Sequence, residues 1–393
     1  MLDIKFIREN PEKVKQGCLK RQAKIDIDQI LYLDSQKRKL LQKIDNLRAE
    51  RKKLEDLAKL KKIKLQLKIF ESELKDINQK LEELMLLVPN LPFDEVPQGK
   101  SEKDNLVIKE VGEKTEKKID YLTIAEKLDL IDIKRAAKTS GARFYFLKKE
   151  LVLLEFALIN FAFETLVKAG FTPILPPLML KKEAMQGAGF PWEETFQIEK
   201  DGFYLIGTSE HAIAAMHSSE IIKDLPKRYV GFSACFRREA GSYGKDTRGI
   251  LRVHQFDKAE MFSFCLPEKS QEEHKFLISI EESLMQALNL PYRLVQLCAS
   301  DLGTASAMTY DIETWLPSEQ KYRETHSCSN CTDFQARRLN IRYEPGKFVH
   351  TLNGTAFAVP RILIAILENY QQKNGSIEVP KALQKYTGFK KIG

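Results

Sequence analysis

A long stretch of the chain, from Gly17 to Pro89, contains no further glycine or proline. It therefore lacks the two residues that most often interrupt helices. Its apolar residues recur at spacings of three, four and seven, the heptad pattern of helices that pack side by side. The pattern forms two seams, the first at Leu33, Leu40, Ile44, Leu47, Leu54 and Ala58 and the second at Leu67, Phe70, Leu74, Ile77, Leu81, Leu84 and Val88. The sequence therefore predicts long helices here.

Two helices that fold back on each other would bury both seams. The basic run KLKKIK, residues 59–64, lies between the seams, and we place the tip of an antiparallel helical arm there. Each helix would have about 26 residues and a length of about 40 Å. The alternative is one continuous helix that pairs with another chain, because no turn residue marks the tip.

The proposed arm carries an excess of positive charge. Residues 35–83 contain 15 lysines and arginines against 9 aspartates and glutamates, a net +6 of the formal +8 for the whole chain. Exposed faces of coiled coils are usually balanced in sign. An excess on a long arm favours contact with the phosphates of a nucleic acid.

The length of 393 residues predicts two or three domains. We place an N-terminal helical domain at 1–100 and a second domain at 101–393, joined through a linker rich in proline and charge at residues 89–120. No apolar window approaches the length of about 18 residues needed to span a membrane. The few cysteines and the absence of an apolar signal segment predict a cytoplasmic protein without a membrane partner.

The second domain is expected to be α+β with a mostly antiparallel sheet, because strand-like runs follow one another with short turns and no regular βαβ alternation. An apolar helix is predicted at 149–169, ended by Gly170. The predicted strands are TFQIE (195–199), FYLIG (203–207), YVGFSACF (229–236), YRLVQLC (292–298), MTYDIETW (308–315) and FVHTLN (348–353).

One segment, FRREAGSYGKDTRGILRVHQFDKAE at 236–260, carries an unusual density of charge. Read as a hairpin, it has an apolar back at Leu251, Val253, Ala259 and Met261. Its front carries Arg237, Glu239, Arg252, His254, Phe256, Lys258 and Glu260, and its loop adds Lys245 and Arg248. Arginines beside an aromatic ring suit a nucleotide, since guanidinium groups pair with phosphates and rings stack on bases. An exposed, charge-rich sheet face is the structural alternative.

This segment resembles motif 2 of the class II aminoacyl-tRNA synthetases, in the form found in the seryl-tRNA synthetases. Further segments resemble the same family in the same order: MLDIKFIRENP (1–11), LRAER (47–51), VPNLP (88–92), FTPILPP (171–177), GTSE (207–210), ETHSCSNCTDFQARR (324–338) and HTLNGTAFAVPRILIAILENYQ (350–371). The resemblance covers nearly the whole chain.

The resemblance implies a catalytic domain on an antiparallel sheet, a homodimer and a basic arm that binds tRNA(Ser). It implies that L-serine and ATP form seryl-adenylate and pyrophosphate, and that serine then passes to the 3′ end of the tRNA. It leaves open whether tRNA(Sec) is also charged. The second enzymatic alternative is activation of an amino acid for another carrier. A third is a nucleic-acid-binding protein with an inactive catalytic domain.

The resemblance also implies the site residues. Catalysis is assigned to Arg237, Glu324 and Arg361. ATP binding is assigned to Arg237, Arg238, Glu239, Arg252, Val253, Phe256, Glu324, Thr325, His326, Ser327 and Arg361, with Mg²⁺ at Glu324 and Ser327. Serine binding is assigned to Thr208, Ser209, Glu210, Arg237, Glu260, Asn353 and Thr355. The single pair Cys328-x-x-Cys331 is a weak zinc signal, and we expect no zinc there.

Overall fold

The computed structural model describes residues 1–240 and 248–393, and the chain forms two compact units, Met1–Leu91 and Pro92–Gly393. Among the described residues, no helix is both long enough and apolar enough to cross a membrane. Lys245, which we predicted to lie in the loop of the charged hairpin, falls outside the described residues.

The first unit consists of helices. They are α1 (Ile4–Glu9), α2 (Pro11–Lys20), α3 (Ile27–Arg51) and α4 (Leu57–Leu87). The Asp26 side chain accepts a hydrogen bond from the Gln29 amide and so caps the start of α3. Asp56 caps α4 in the same way, by accepting from the amides of Ala58 and Lys59.

The antiparallel pair of long helices is confirmed, whereas the predicted position of its tip was wrong. The turn lies at residues 52–56, and the basic run 59–64 belongs to the first turns of α4. The physical reason is the Asp56 cap, which starts the helix before that run. Packing along the pair buries Leu40, Ile44, Ile63 and Leu67 in one cluster, so the two seams face each other within one chain.

The second unit contains the remaining helices and all the strands of the described residues. Its helices are α5 (Tyr121–Lys127), α6 (Ile133–Ser140), α7 (Glu150–Lys168), α8 (Lys182–Ala188), α9 (Ser209–Met216), α10 (Ser270–Ala287), α11 (Phe334–Leu339), α12 (Val359–Asn369) and α13 (Gln384–Thr387). Its strands are β1 (Leu106–Val111), β2 (Ile131–Asp132), β3 (Phe146–Leu147), β4 (Thr172–Ile174), β5 (Met179–Lys181), β6 (Gln197–Ile198), β7 (Phe203–Leu205), β8 (Lys227–Phe236), β9 (Gln255–Cys265), β10 (Tyr292–Gln296), β11 (Met308–Leu316), β12 (Lys321–Asn330), β13 (Arg342–Glu344), β14 (Lys347–Phe348), β15 (His350–Ala358), β16 (Ile377–Glu378) and β17 (Lys391–Ile392).

The centre of this unit is an eight-stranded sheet in the order β1-β10-β11-β12-β15-β9-β8-β4. Every pairing in it is antiparallel except β4 with β8, so the predicted α+β class is confirmed. Two features differ from the expectation. The supposed linker at 89–120 contains the edge strand β1, and β12 was not among the predicted strands because its sequence KYRETHSCSN is too polar to show apolar alternation.

Three long helices cover one face of the sheet, while on the other face α9 and α11 cover Phe262 and Phe264, and polar side chains lie beside them. Residues of α7, α10 and α12 form a single core with residues of the sheet. Along β9, Ala259 and Met261 point into this core. Because side chains alternate along a strand, Phe256, Lys258 and Glu260 point to the opposite face.

The two paired strands of the charged segment are shorter than predicted. β8 ends at Phe236 and β9 begins at Gln255, so the described residues 237–240 and 248–254 lie outside both strands. The backbone of Glu239 has φ +51°, a left-handed conformation that residues of a regular strand do not adopt. The His254 amide donates to the Arg143 carbonyl, while the His254 carbonyl accepts a hydrogen bond from the Arg237 amide at 2.9 Å. The pattern predicted that Arg252, His254 and Phe256 share one strand face. This prediction was wrong, because Arg252 and His254 precede β9.

Candidate active site

A cavity of about 370 Å³ opens on the polar face of the sheet, above β8, β9, β12 and β15. It brings together most of the residues assigned to ATP and serine. Those that line it are Thr208, Glu210, Arg237, Glu239, Arg252, Val253, Phe256, Glu260, Glu324, Thr325, Ser327, Asn353, Thr355 and Arg361. They come from distant parts of the chain, and only the pairing of the strands places them around one space.

Three of the assigned residues lie elsewhere. Ser209 is fully buried, and its hydroxyl donates to the Gly231 carbonyl. Arg238 turns away from the cavity, with its guanidinium carbon 5.9 Å from the centre of the Phe196 ring. His326 packs behind β12, where its Nδ1 lies 2.9 Å from the Thr325 hydroxyl. The cavity walls therefore do not include these side chains.

One end of the cavity is rich in carboxylates. Glu260 is 2 % exposed, and its Oε2 lies 2.6 Å from the Nζ of Lys258 and accepts a hydrogen bond from the Thr355 hydroxyl at 3.3 Å. This contact follows from the register of β9 against β15, in which Glu260 and Thr355 are direct partners. Glu210 brings a second carboxylate to the same end. Such an environment suits a ligand with an ammonium group and a hydroxyl group.

Glu210 is fixed by two side-chain amides. Its Oε1 accepts hydrogen bonds from Gln335 at 2.7 Å and from Asn353 at 3.0 Å. Burial and the negative charge of Glu260 together raise the pKa of Glu210 to about 7, against the opposing effects of the Gln335 hydrogen bond and of the nearby Lys258 and Arg237 charges. Because two carboxylates share this end, a cation from the ligand would stabilise both.

The start of α9 connects the carboxylates to Arg237. The hydroxyl of Thr208 accepts a hydrogen bond from the Glu210 amide at the N-terminus of α9. The Nε of Arg237 donates to the Gly207 carbonyl at 3.2 Å. The Arg237 guanidinium carbon also lies 5.3 Å from the centre of the Phe256 ring. Arg237 therefore lies between the carboxylates and the rest of the cavity.

The other end of the cavity contains arginines paired with acidic residues. Arg252 donates to Glu239 at 2.9 Å. The Nη1 of Arg361 lies 3.0 Å from the Oε1 of Glu324 and 3.0 Å from its backbone oxygen. Burial alone would raise the pKa of Glu324, but the charge and hydrogen bond of Arg361 outweigh it, and the pKa is lower than usual. These cations are in place for an anionic ligand.

A β-bulge sets the geometry of Glu324 and Ser327. In the pairing of β11 with β12, Ile312 faces His326 and Glu313 faces Glu324, so Thr325 is an extra residue. Residues three apart in a regular strand point to opposite faces. The bulge shifts this alternation by one residue. Glu324 and Ser327 consequently both line the cavity.

The oxygen atoms around Ser327 are suitable ligands for a small, hard cation. Asp311 is the direct strand partner of Ser327, is 9 % exposed, and has an Oδ1 without a hydrogen bond to any described residue. With the carboxylate of Glu324 and the hydroxyl of Ser327, this is a set of oxygen ligands. Mg²⁺ prefers such ligands and commonly binds through one or two carboxylates together with the phosphates of a nucleotide. The residues present therefore fit Mg²⁺.

Comparisons with known proteins agree with this geometry. Residues 194–370 match the tRNA synthetase class II core domain (G, H, P, S and T), and residues 1–57 match the seryl-tRNA synthetase N-terminal domain. The serine–tRNA ligase of Dictyoglomus turgidum is 43 % identical over 100 % of this chain and 99 % of its own length. The chain belongs to the seryl-tRNA synthetase family.

Solved structures of seryl-tRNA synthetases have the same fold. The enzyme from Pyrococcus horikoshii complexed with ATP superimposes with a TM-score of 0.94 and 42 % identity, covering 100 % of this chain and 99 % of that one. The cytoplasmic serine–tRNA ligase from Naegleria fowleri in complex with AMP gives 0.90 and 34 %, covering 100 % and 98 %.

The structure also identifies residues that line the cavity or support its walls and that the sequence did not indicate. Gln335 lies in the DFQARR segment, which resembles the seryl-tRNA synthetases. Its side-chain amide donates to Glu210, a role that the sequence did not indicate. Lys258 was placed on the correct face but given no role, and it pairs with Glu260. Phe190 and the loop 303–306 line the cavity without any signal in the sequence. Only the tertiary contacts identify them.

Proposed function

We propose that the chain activates L-serine with ATP and transfers it to the 3′ end of tRNA(Ser). Two carboxylates at one end of a cavity, two arginines at the other and Arg237 between them carry this proposal. The first group suits the ammonium of an amino acid, and the second suits the phosphates of ATP. The relatives whose names describe serine–tRNA ligases support the same activity.

The first step joins the two ligands. A carboxylate oxygen of serine attacks the α-phosphorus of ATP, the new P–O bond forms, and the bond to the β-phosphate oxygen breaks to release pyrophosphate. Two anions must approach each other for this step. Arg237, which lies between the two ends of the cavity, neutralises the charge that develops on the α-phosphate. In the second step the 3′-terminal hydroxyl of the tRNA attacks the carbonyl carbon of seryl-adenylate and AMP leaves.

The arginine end would bind the nucleotide. Phe256 stacks on one face of adenine and Arg361 covers the other, while Glu239 and the backbone of Val253 contact its edge. Arg252 exchanges its contact with Glu239 for the γ-phosphate. Glu324 and Ser327 would bind Mg²⁺, which supplies charge neutralisation between phosphate oxygens.

The carboxylate end would bind serine. Glu210 and Glu260 take the ammonium group, while Thr355 and Asn353 lie close enough to contact the hydroxyl. A site that hydrogen-bonds a substrate hydroxyl rejects analogues without it by about 10⁴–10⁵. Exclusion of threonine rests on the fit around one methyl group, so we expect weaker discrimination, about 10²-fold.

Binding of tRNA is assigned to the arm formed by α3 and α4. The net +6 of residues 35–83 and the exposure of its lysines support contact with phosphates. Because the contact is electrostatic, the affinity for tRNA should fall steeply as salt is added.

A homodimer is also proposed. The segment that resembles motif 1 and the strand after it expose large apolar side chains, among them Leu175, Leu178 and Met179, with Leu153 and Phe156 exposed on α7. Exposed apolar groups of this size commonly mark an interface.

We also propose a cytoplasmic location. All six cysteines lie among the described residues and none of them is in a disulfide, which supports a reducing compartment.

The test is amino-acid-dependent exchange between ATP and pyrophosphate, without tRNA. Serine should support strong exchange, threonine about 10²-fold less, and alanine and glycine almost none. Comparable exchange with alanine and serine would contradict the assignment of the hydroxyl contacts. A complete lack of exchange with any amino acid would contradict the proposed function and favour an inactive catalytic domain.

A further inference from the structure

A carboxyl group without an evident role lies beneath the cavity. Glu281 belongs to α10, on the helix-covered side of the sheet, and is 0 % exposed. Neither of its oxygens forms a hydrogen bond of normal geometry with a described residue. Burial and the nearby Glu260 and Asp311 raise its pKa well above the usual range. Buried polar groups are nearly always satisfied, so its position requires an explanation.

A glycine makes room for this carboxyl. A Cβ atom built on Gly354 would lie 3.1 Å from the Oε1 of Glu281 and 3.0 Å from the Cε of Met261. These distances are tighter than ordinary contacts, so a larger residue at this position would force the carboxyl or the strand to move. The Glu281 carboxyl therefore packs directly against the backbone of β15. The point of contact lies between Asn353 and Thr355, the two residues proposed above to contact the substrate hydroxyl.

The backbone of β15 loses its regular partners at this point. Its pairing with β12 ends at Gly354, and its register with β9 slips between Thr355 and Phe357. The strand is therefore less constrained here than in a continuous ladder. The backbone amide of Thr355 faces Glu281 and opposes the rise in its pKa, as a donor to the carboxyl would.

We propose that Glu281 is a positioning residue for serine recognition, which fixes the irregular part of β15 so that the Thr355 hydroxyl and the Asn353 amide keep their places in the cavity. This inference rests on the proposed function. Glu281 touches no substrate, because it lies on the opposite side of the sheet. Its effect should therefore appear in the binding of serine and not in the binding of ATP.

The experiment compares substitutions at Glu281 in the full-length chain, with ATP–pyrophosphate exchange as the assay. Glu281→Met keeps the bulk and removes the polar atoms, and it should raise the KM for serine about 10-fold, equivalent to about 1.4 kcal/mol. The KM for ATP should stay within about 2-fold of that of the unsubstituted chain. Glu281→Gln keeps an acceptor for the Thr355 amide, so its KM for serine should equal that of the unsubstituted chain.

The adjacent residue supplies a matched control. Glu282 bonds to the Tyr292 hydroxyl and to Lys109 on the outer side of α10. Glu282→Met loses a carboxyl from the same helix and should leave the ratio of the two KM values unchanged, even where it lowers the melting temperature. Gly354→Ala provides an independent test, because its Cβ displaces the same contact and should also raise the KM for serine selectively.

Three results would overturn the inference. They are an unchanged KM for serine in Glu281→Met and Gly354→Ala, an equal rise in the KM for serine and for ATP, and a failure of Glu281→Gln to restore the KM for serine. Exchange measured with the unsubstituted chain distinguishes a failure of this inference from a failure of the proposed function. If that chain exchanges with serine, only the role of Glu281 is in question.

Discussion

The arm and the catalytic unit use charged residues in opposite ways. In the arm, the pair Arg48–Glu71 is about half exposed on both sides. In the cavity, Lys258 and Glu260 form a pair that is 7 % and 2 % exposed. An exposed pair contributes little free energy, whereas removing one partner of a buried pair leaves an uncompensated charge and costs about 3–5 kcal/mol. Replacing one charged residue of the arm should therefore change the stability little. Replacing one charged residue of the cavity should leave its partner as an uncompensated buried charge.

The largest expected effect distinguishes two neighbouring arginines of the catalytic unit. Arg237→Ala removes the charge beside the α-phosphate and should lower kcat for exchange by about 10²–10³. Arg238→Ala is the matched control, because this side chain lies against Phe196 outside the cavity. Its exchange rate should stay within about 3-fold of the unsubstituted chain. Equal losses in the two variants would show that the orientation of these side chains in the structure is not the functional one.

Shortening the arm should separate the two regions. Leu33 and Leu81 share one cluster at the base of the arm, so a short glycine–serine linker that replaces residues 37–78 keeps both of these residues. Charging of tRNA should fall by about 100-fold or more, because the phosphate contacts are lost. Exchange without tRNA should be unchanged, and it serves as the internal control. Unaltered charging would mean that the arm is not the tRNA contact.

A smaller effect is expected from pH. Because the pKa of Glu210 is raised to about 7, the carboxylate that binds the ammonium becomes protonated as the pH falls. The KM for serine in the exchange assay should therefore rise about 10-fold between pH 8 and pH 6. Glu210→Gln should have a high KM that no longer changes over this range. A flat profile in the unsubstituted chain would assign the ammonium to Glu260 alone.

The smallest effect concerns the exposed pair of the arm. Arg48→Ala breaks the contact with Glu71 and should change the free energy of unfolding by less than about 1 kcal/mol. Thermal unfolding measures it, and Leu67→Ala in the buried seam is the comparison, with an expected loss of about 2–5 kcal/mol. A loss at Arg48 as large as at Leu67 would contradict the contrast between the two regions.

The sequence predicted the two regions with different success. The heptad seams of the arm depend on neighbours along one helix, so Leu40, Ile44 and Leu67 were correctly expected in its core. The tip was placed at the basic run because no glycine or proline marks the turn. Asp56 caps the start of α4, but an aspartate can be recognised as a cap only when the first residue of the helix is known. In the catalytic unit, polar strands such as β12 and edge strands such as β1 were missed, because they lack the apolar alternation on which strand prediction relies.

The sequence by itself determined the paired helices, the antiparallel α+β class and the identity of 14 of the residues that line the cavity, since these depend on local periodicity and on motifs that resemble a known family. Tertiary structure alone decided which side chains of those motifs face the cavity. A bulge at Thr325 keeps Glu324 and Ser327 on one side, and β8 ends at Phe236 and does not continue through Glu239. It also placed Gln335 on Glu210 and Glu281 beneath Gly354. Contacts between residues far apart in the chain arise from strand register and packing, which no local pattern encodes.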